Sequence, residues 1–215
     1  MMENKNALNF FREISEKKTV KIKSDKLSSS NDFTKLDSSF ILKYADKSSK
    51  ILDMGSGTGL IVNKIYNKVA DITAVEPLKG FSKHIVKSNN VVIVNQNIFD
   101  FEPNIEIKYD LITMFGLMHY FNELEAIEIY KKYFYYLKNG GKMIIKNQFG
   151  VNDDVVVDGY SEEQNTNYFA HYRYLDKEVS ILRKTGFNNI EIIDIYPPEC
   201  NRWNNTHYYA IVAEK

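Results

Sequence analysis

From residue 49 onward the chain repeats one alternation, a short β-branched apolar run followed by a helical stretch and then another run. "KILDM" leads into the helical "GLIVNKIYNK", "DITAVE" into a helix over about 78–88, and "VVIVNQ" stands third. "YDLITMF" then leads into a helix over about 122–138, and "KMIIKN" completes the series. Consecutive parallel strands need a crossover, and apolar runs without alternation are covered on both faces, so this rhythm predicts a parallel α/β sheet. The ending breaks it. A helix over about 176–185 stops at Gly186, and "IEIIDIY" and "THYYAIVAE" follow with no room for a crossover helix between them. Those two runs are expected to pair antiparallel.

The first crossover carries "ILDMGSGTGL", residues 51–60, with Gly55, Gly57 and Gly59 at every second position. Glycines between a strand and a helix let backbone N–H groups approach a ligand that a Cβ would keep away. No Gly-Lys-Ser/Thr follows, which excludes a P-loop, and Leu60 stands where a dinucleotide fingerprint needs its third glycine. Glu76 ends the second strand, about 20 residues past the first glycine, where a carboxylate can accept from both hydroxyls of a ribose. The pattern points to a nucleoside without a pyrophosphate.

"ILDMGSGTG", "AVEP", "VVIVNQNIFDF", "YDLITMFGLMHYF" and "YLKNGGKMII", in this order and spacing, resemble the successive motifs of class I S-adenosylmethionine-dependent methyltransferases. The resemblance covers about residues 49–146, and the terminal hairpin extends it. It implies a Rossmann-like seven-stranded sheet, order 3-2-1-4-5-7-6 with strand 7 antiparallel, preceded by N-terminal helices and carrying an inserted cap. It also implies S-adenosylmethionine as cofactor, with Asp53, Gly55, Ser56, Gly57 and Gly59 at its methionine end and Glu76, followed by Pro77, at the ribose. Asn97 stands where the family often has an adenine-reading aspartate, Ile98 beside it can offer its backbone N–H to the ring, and Phe115 is placed to line the cofactor.

The resemblance divides the chain into N-terminal helices over 1–48, placed to act as a lid, and a methyltransferase domain over 49–215. Residues 147–175 form its acceptor-side insertion, too long and aromatic for a plain linker. His119, just past strand 4, is the candidate base, since imidazole titrates near neutrality. His171, Tyr172 and Arg173 near the end of the insertion, Tyr160 near its middle, and Arg202, Trp203 and His207 before the last strand are acceptor-side candidates. Guanidinium binds phosphate or carboxylate in a fork, and indole stacks on sugar faces.

Several acceptor classes fit poorly. "FGLM" stands where amino-methylating DNA enzymes carry an acidic or Asn-Pro-Pro motif, and Cys200 is misplaced for base-C5 methylation, so no DNA substrate is expected. Asp153 and Asp154 read as a solvated loop, and no metal is expected. The expected partner is a small polar acceptor, sugar or phosphorylated. The tail "YPPECNRWNNTHYYAIVAEK" resembles enzymes of bacterial surface-polysaccharide clusters, including those that make O-methyl phosphoramidate on capsules. Two other readings are a methyltransferase-like binding or assembly protein, and an RNA or protein methyltransferase that docks through the basic run 17–26.

Lys and Arg number 28 and Asp and Glu 28, so the formal charge is zero and no global field draws in a polyanion. One cysteine excludes a disulfide framework, and no apolar run approaches the roughly 18 residues of a membrane span. These features predict a single domain in the cytoplasm.

Overall fold

The computed structural model describes residues 2–16, 33–161, 166–201 and 203–215. The basic run 17–26 and Arg202, both singled out above, lie outside the described residues.

Seven strands form the central sheet: β1 (Lys50–Met54), β2 (Asp71–Val75), β3 (Val91–Val94), β4 (Tyr109–Phe115), β5 (Leu137–Gly150), β8 (Asn188–Asp194) and β9 (Thr206–Glu214). Their order is β3-β2-β1-β4-β5-β9-β8. β1 to β5 run parallel, and β9 is antiparallel to both β5 and β8. Numbered within the sheet alone, this is 3-2-1-4-5-7-6 with strand 7 reversed, the order that the motifs imply.

Two apolar layers cover the sheet. On one face α5 (Glu123–Tyr136) and α6 (Leu175–Thr185) bury Tyr130, Tyr133, Leu182 and the adjoining Phe187 against Met143 and Ile145. On the other, α2 (Thr34–Ile41) and α3 (Val62–Ile65) bury Phe40, Ile41, Val62 and Ile65 against Ile51 and Ile144. α2 therefore packs into the same core as the strands. α5 starts with a capping box, in which the Asn122 side chain accepts from Glu125 N–H and the Glu125 side chain accepts from Asn122 N–H. α6 stops where Gly186 takes a left-handed φ of 114°.

The first two crossover helices are shorter than their sequences predict. The stretch 59–68 gives only α3 and a 3-10 turn over Tyr66–Lys68, and the stretch 78–88 gives only α4 (Lys79–Ser82). Side chains take over the backbone groups that longer helices would pair. Asn63 donates to His84 O and accepts from Val86 N–H, tying the two crossovers together. Gly80 in α4 carries α1 (Met2–Glu16), for a Cβ there would stand 2.3 Å from Ser15 O.

The stretch after strand 5, which shows no clear period in the sequence, is largely extended. β5 continues to Gly150, and β6 (Val155–Ser161) pairs antiparallel with β7 (Thr166–Tyr172) as a separate hairpin.

Candidate active site

The carboxyl ends of β1, β2 and β4 meet at a cavity of about 250 Å³. Gly55, Gly57, Glu76, Pro77, Leu78, Phe115, Gly116 and Leu117 line it. Gln96, Asn97, Ile98, Tyr120 and Phe121 add to the lining, as do Leu8 and Phe11 of α1. Gly57 has φ 54° and nothing within 4 Å of the position a Cβ would take, so its backbone is open to a ligand.

Glu76 is buried with one oxygen accepting from Gly57 N–H (3.0 Å) and the other from Leu78 N–H (2.9 Å). Burial pushes its carboxyl up to about 7, although both N–H groups pull it down. Each carboxylate oxygen has a second lone pair available for a ligand hydroxyl. Asp53 is buried one strand away, held by the Thr113 hydroxyl at 2.6 Å, and burial raises its carboxyl as well. Two buried acids with only neutral donors suit a ligand that brings hydroxyls and positive charge.

The other predicted cofactor residues divide by position. Gly55, Gly57, Glu76, Pro77, Asn97, Ile98 and Phe115 line the cavity. Asp53, Ser56 and Gly59 stand behind it. The Ser56 hydroxyl closes the turn on Asp53 O, and Gly59 is glycine because a Cβ would meet Ile85 Cγ1 at 2.9 Å. Asn97 uses its side-chain oxygen to cap its own turn through Phe99 N–H (3.1 Å), which leaves a second lone pair facing the cavity end.

Among the acceptor-side candidates, His119 is nearest. It is buried in the 3-10 turn Met118–Tyr120, with Nδ1 3.3 Å from Asn147 Oδ1 and its ring 4.0 Å from Tyr120 and 5.4 Å from Tyr172. Tyr172 is buried, with its hydroxyl 2.9 Å from that of Tyr168 and accepting from Trp203 Nε1 at 3.3 Å. Tyr160 lies exposed on the outer hairpin.

Three further residues singled out in the sequence lie off the cavity wall, each engaged by a neighbour. Arg173 does not face an acceptor: it is buried against Glu178 and donates to Phe121 O and Met118 O, so it fixes the turn that carries His119. His171 is held by Asp154 at 3.0 Å, on the hairpin and off the cavity wall. His207 sits between Asp194 (2.7 Å) and Asn201 (2.9 Å), also off the wall. In each case a nearby partner already takes up the side chain.

Sequence reasoning missed the polar run Lys146-Asn147-Gln148 at the carboxyl end of β5, although three polar residues ending an apolar strand are a readable signal of a buried polar site. Lys146 bonds Asp37 of α2 and the Tyr196 hydroxyl, and its ammonium lies 4.9 Å from the Phe115 ring centre. Asn95 was missed too; its amide joins Glu76 O to the Ser82 hydroxyl and so fixes β2 against α4.

A family model described as a methyltransferase domain matches residues 34–192. The chain belongs to that family. The enzyme is accordingly an S-adenosylmethionine-dependent methyltransferase. No curated protein matches this methyltransferase by sequence. Its structural neighbours include a SAM-dependent methyltransferase of Leishmania major, 18% identical with TM-score 0.72, covering 99% of this chain and 83% of that one. DhpI in a complex with SAM and HEP is 11% identical with TM-score 0.71, covering 98% and 97%. The 1,6-didemethyltoxoflavin-N1-methyltransferase of Burkholderia thailandensis, solved with 1,6-didemethyltoxoflavin and S-adenosylhomocysteine, is 15% identical with TM-score 0.66, covering 85% and 77%. At these identities the likeness is one of fold. The methyltransferase's own cavity fits the cofactor through the open Gly57 backbone and the buried Glu76 carboxyl.

Proposed function

We propose that this methyltransferase moves the methyl group of S-adenosylmethionine to an oxygen of a small polar acceptor, a sugar or phosphorylated precursor of a bacterial surface polysaccharide, in the cytoplasm. The observation that carries the reading is the lining of the cavity, which brings Asn97 and buried Glu76 together with Phe115, Tyr120 and Phe121. Glu76 takes the ribose hydroxyls, the Gly55–Gly57 backbone the methionine portion with Asp53 behind it, and Asn97 with Ile98 the base. The cofactor supplies an electrophilic methyl group. What the chain supplies is alignment and exclusion of water. α1 is the lid, since Leu8 and Phe11 already reach the cavity.

The acceptor lies against Tyr120 and the β6–β7 hairpin. His119 is the candidate base: with Nδ1–H given to Asn147, Nε2 carries the lone pair. Tyr172 and Trp203 form the outer wall, joined by their hydrogen bond. The tail resemblance noted in the sequence favours a surface-polysaccharide precursor, and the Burkholderia neighbour shows that this fold is used on a small molecule.

Calorimetric titration with S-adenosylhomocysteine, followed by transfer of labelled methyl to a panel of sugar phosphates and nucleotide sugars, tests the proposal. Micromolar binding and labelling of at least one panel member are expected. Binding without labelling of any member would overturn the acceptor class, and labelling of RNA or protein would replace it.

A further inference from the structure

Gln148 sits on β5 two residues beyond Lys146, the residue in register with Phe115 of the cavity wall, so it is the next position outward on that sheet face. The side chain is 2% exposed. Its amide nitrogen donates to the Thr206 hydroxyl, and that hydroxyl gives its single proton to Trp203 O. Thr206 can then only accept from the glutamine, which fixes the amide orientation and leaves Oε1 as the free end of the amide. Among the described residues, Oε1 is buried and has no donor.

A second amide, Asn201, lies in the loop before β9. There the Asn201 side-chain nitrogen lies 2.9 Å from His207 Nδ1, and His207 Nε2 lies 2.7 Å from Asp194 Oδ1. Among the described residues, Asn201 Oδ1 is also buried without a donor. A buried carbonyl oxygen left without a partner costs stability, so one held that way by a dedicated neighbour calls for a donor from outside the fold.

We infer that Gln148 Oε1 is an acceptor-anchoring atom, which takes a hydrogen bond from a hydroxyl or amino group of the molecule to be methylated. This rests on the methyltransferase reading of the neighbouring cavity. It deepens that reading by giving the chemistry of one contact: the acceptor carries a donor, O–H or N–H, at the β5–β9 side of the site. An anionic oxygen there would meet the Gln148 carbonyl oxygen and be repelled. Lys146 does not serve the same purpose, because its ammonium is already bonded to Asp37 and Tyr196.

The test compares wild type with Gln148→Met, which keeps length and removes the carbonyl, and with Thr206→Val, which removes only the relay. Three quantities are measured: the melting temperature, S-adenosylhomocysteine affinity, and kcat/KM for labelled methyl transfer to glucose 6-phosphate, UDP-glucose and 2-aminoethyl phosphate. Gln148→Met is expected to melt at or above wild type and to keep cofactor affinity. It is expected to lose about ten- to a hundredfold in kcat/KM, mostly through KM, on whichever probe wild type methylates. Thr206→Val falls between the two.

A melting temperature lowered by more than about 3 °C would make Gln148 a structural residue and overturn the inference without any acceptor in hand. Unchanged kcat/KM on a methylated probe would overturn it as well. Failure of wild type to bind S-adenosylhomocysteine is a separate result, which removes the methyltransfer reading and this inference with it.

Discussion

Glu178 and Glu76 are both buried glutamates, yet the chain treats them in opposite ways. Glu178 meets Arg173 through both oxygens and also accepts from the Tyr130 hydroxyl, so its charge is balanced within the fold. Glu76 meets only two backbone N–H groups, and burial lifts it to about 7. One carboxylate brings its partner with it, and the other is left incomplete. A structural acid and a ligand-binding acid therefore differ in what faces them, not in how deep they lie.

Breaking the balanced pair has the largest expected effect. Arg173→Met leaves Glu178 buried without a counter-charge and releases the turn 118–121, so urea unfolding should show a loss of about 3–5 kcal/mol. The double change Arg173→Met with Glu178→Leu should recover much of it. Recovery of nothing would mean that the turn contacts, rather than the ion pair, carry the loss.

The incomplete acid should show itself in pH. The folded Glu76 carboxyl, at about 7, lies above its ordinary 4.5, so the folded state holds a proton that the unfolded state has released. Its contribution is fully present below about 4.5 and is lost as pH rises through about 7, a swing of at most about 3 kcal/mol. Urea unfolding at pH 5 and pH 8 should show this slope in wild type and much less of it in Glu76→Gln. Equal slopes would place the titration elsewhere.

Ligand binding sharpens the contrast further. S-adenosylhomocysteine affinity should fall about ten- to a hundredfold in Glu76→Ala, and in wild type it should strengthen as pH rises through about 7, because the ionised carboxylate is the better acceptor. Calorimetry at pH 6 and pH 8 measures both effects. The smallest expected change lies far from either acid: Asn122→Ala removes the cap of α5 and should cost about 1 kcal/mol without altering cofactor affinity.

Much of the fold was legible because its signals are local. Strand runs such as "KILDM" and "THYYAIVAE" match β1 and β9 residue for residue, and the cap of α6 at Gly186 falls where its glycine stands. The helices of the first crossovers were over-read, because Asn63 replaces helix hydrogen bonds with side-chain ones that no periodicity reveals. In the site, seven of the predicted cofactor residues line the cavity. The surroundings of Arg173 and His207 were not legible for one shared reason. Their partners, Glu178 in one case and Asp194 with Asn201 in the other, come from separate elements, so charge type alone could not show that each side chain was already engaged.

The place of β9 has a consequence for how the chain comes into being. β8 is made first, yet its only neighbour in the sheet is β9, and the edge of β5 is reserved for β9 over nine residue pairs. As the polypeptide emerges from the ribosome, β8 has nowhere to settle and β5 keeps an open edge until β9 slides between them. That interval exposes an unpaired strand of the kind that other chains can join, so the nascent protein is most prone to aggregate just before its sheet closes.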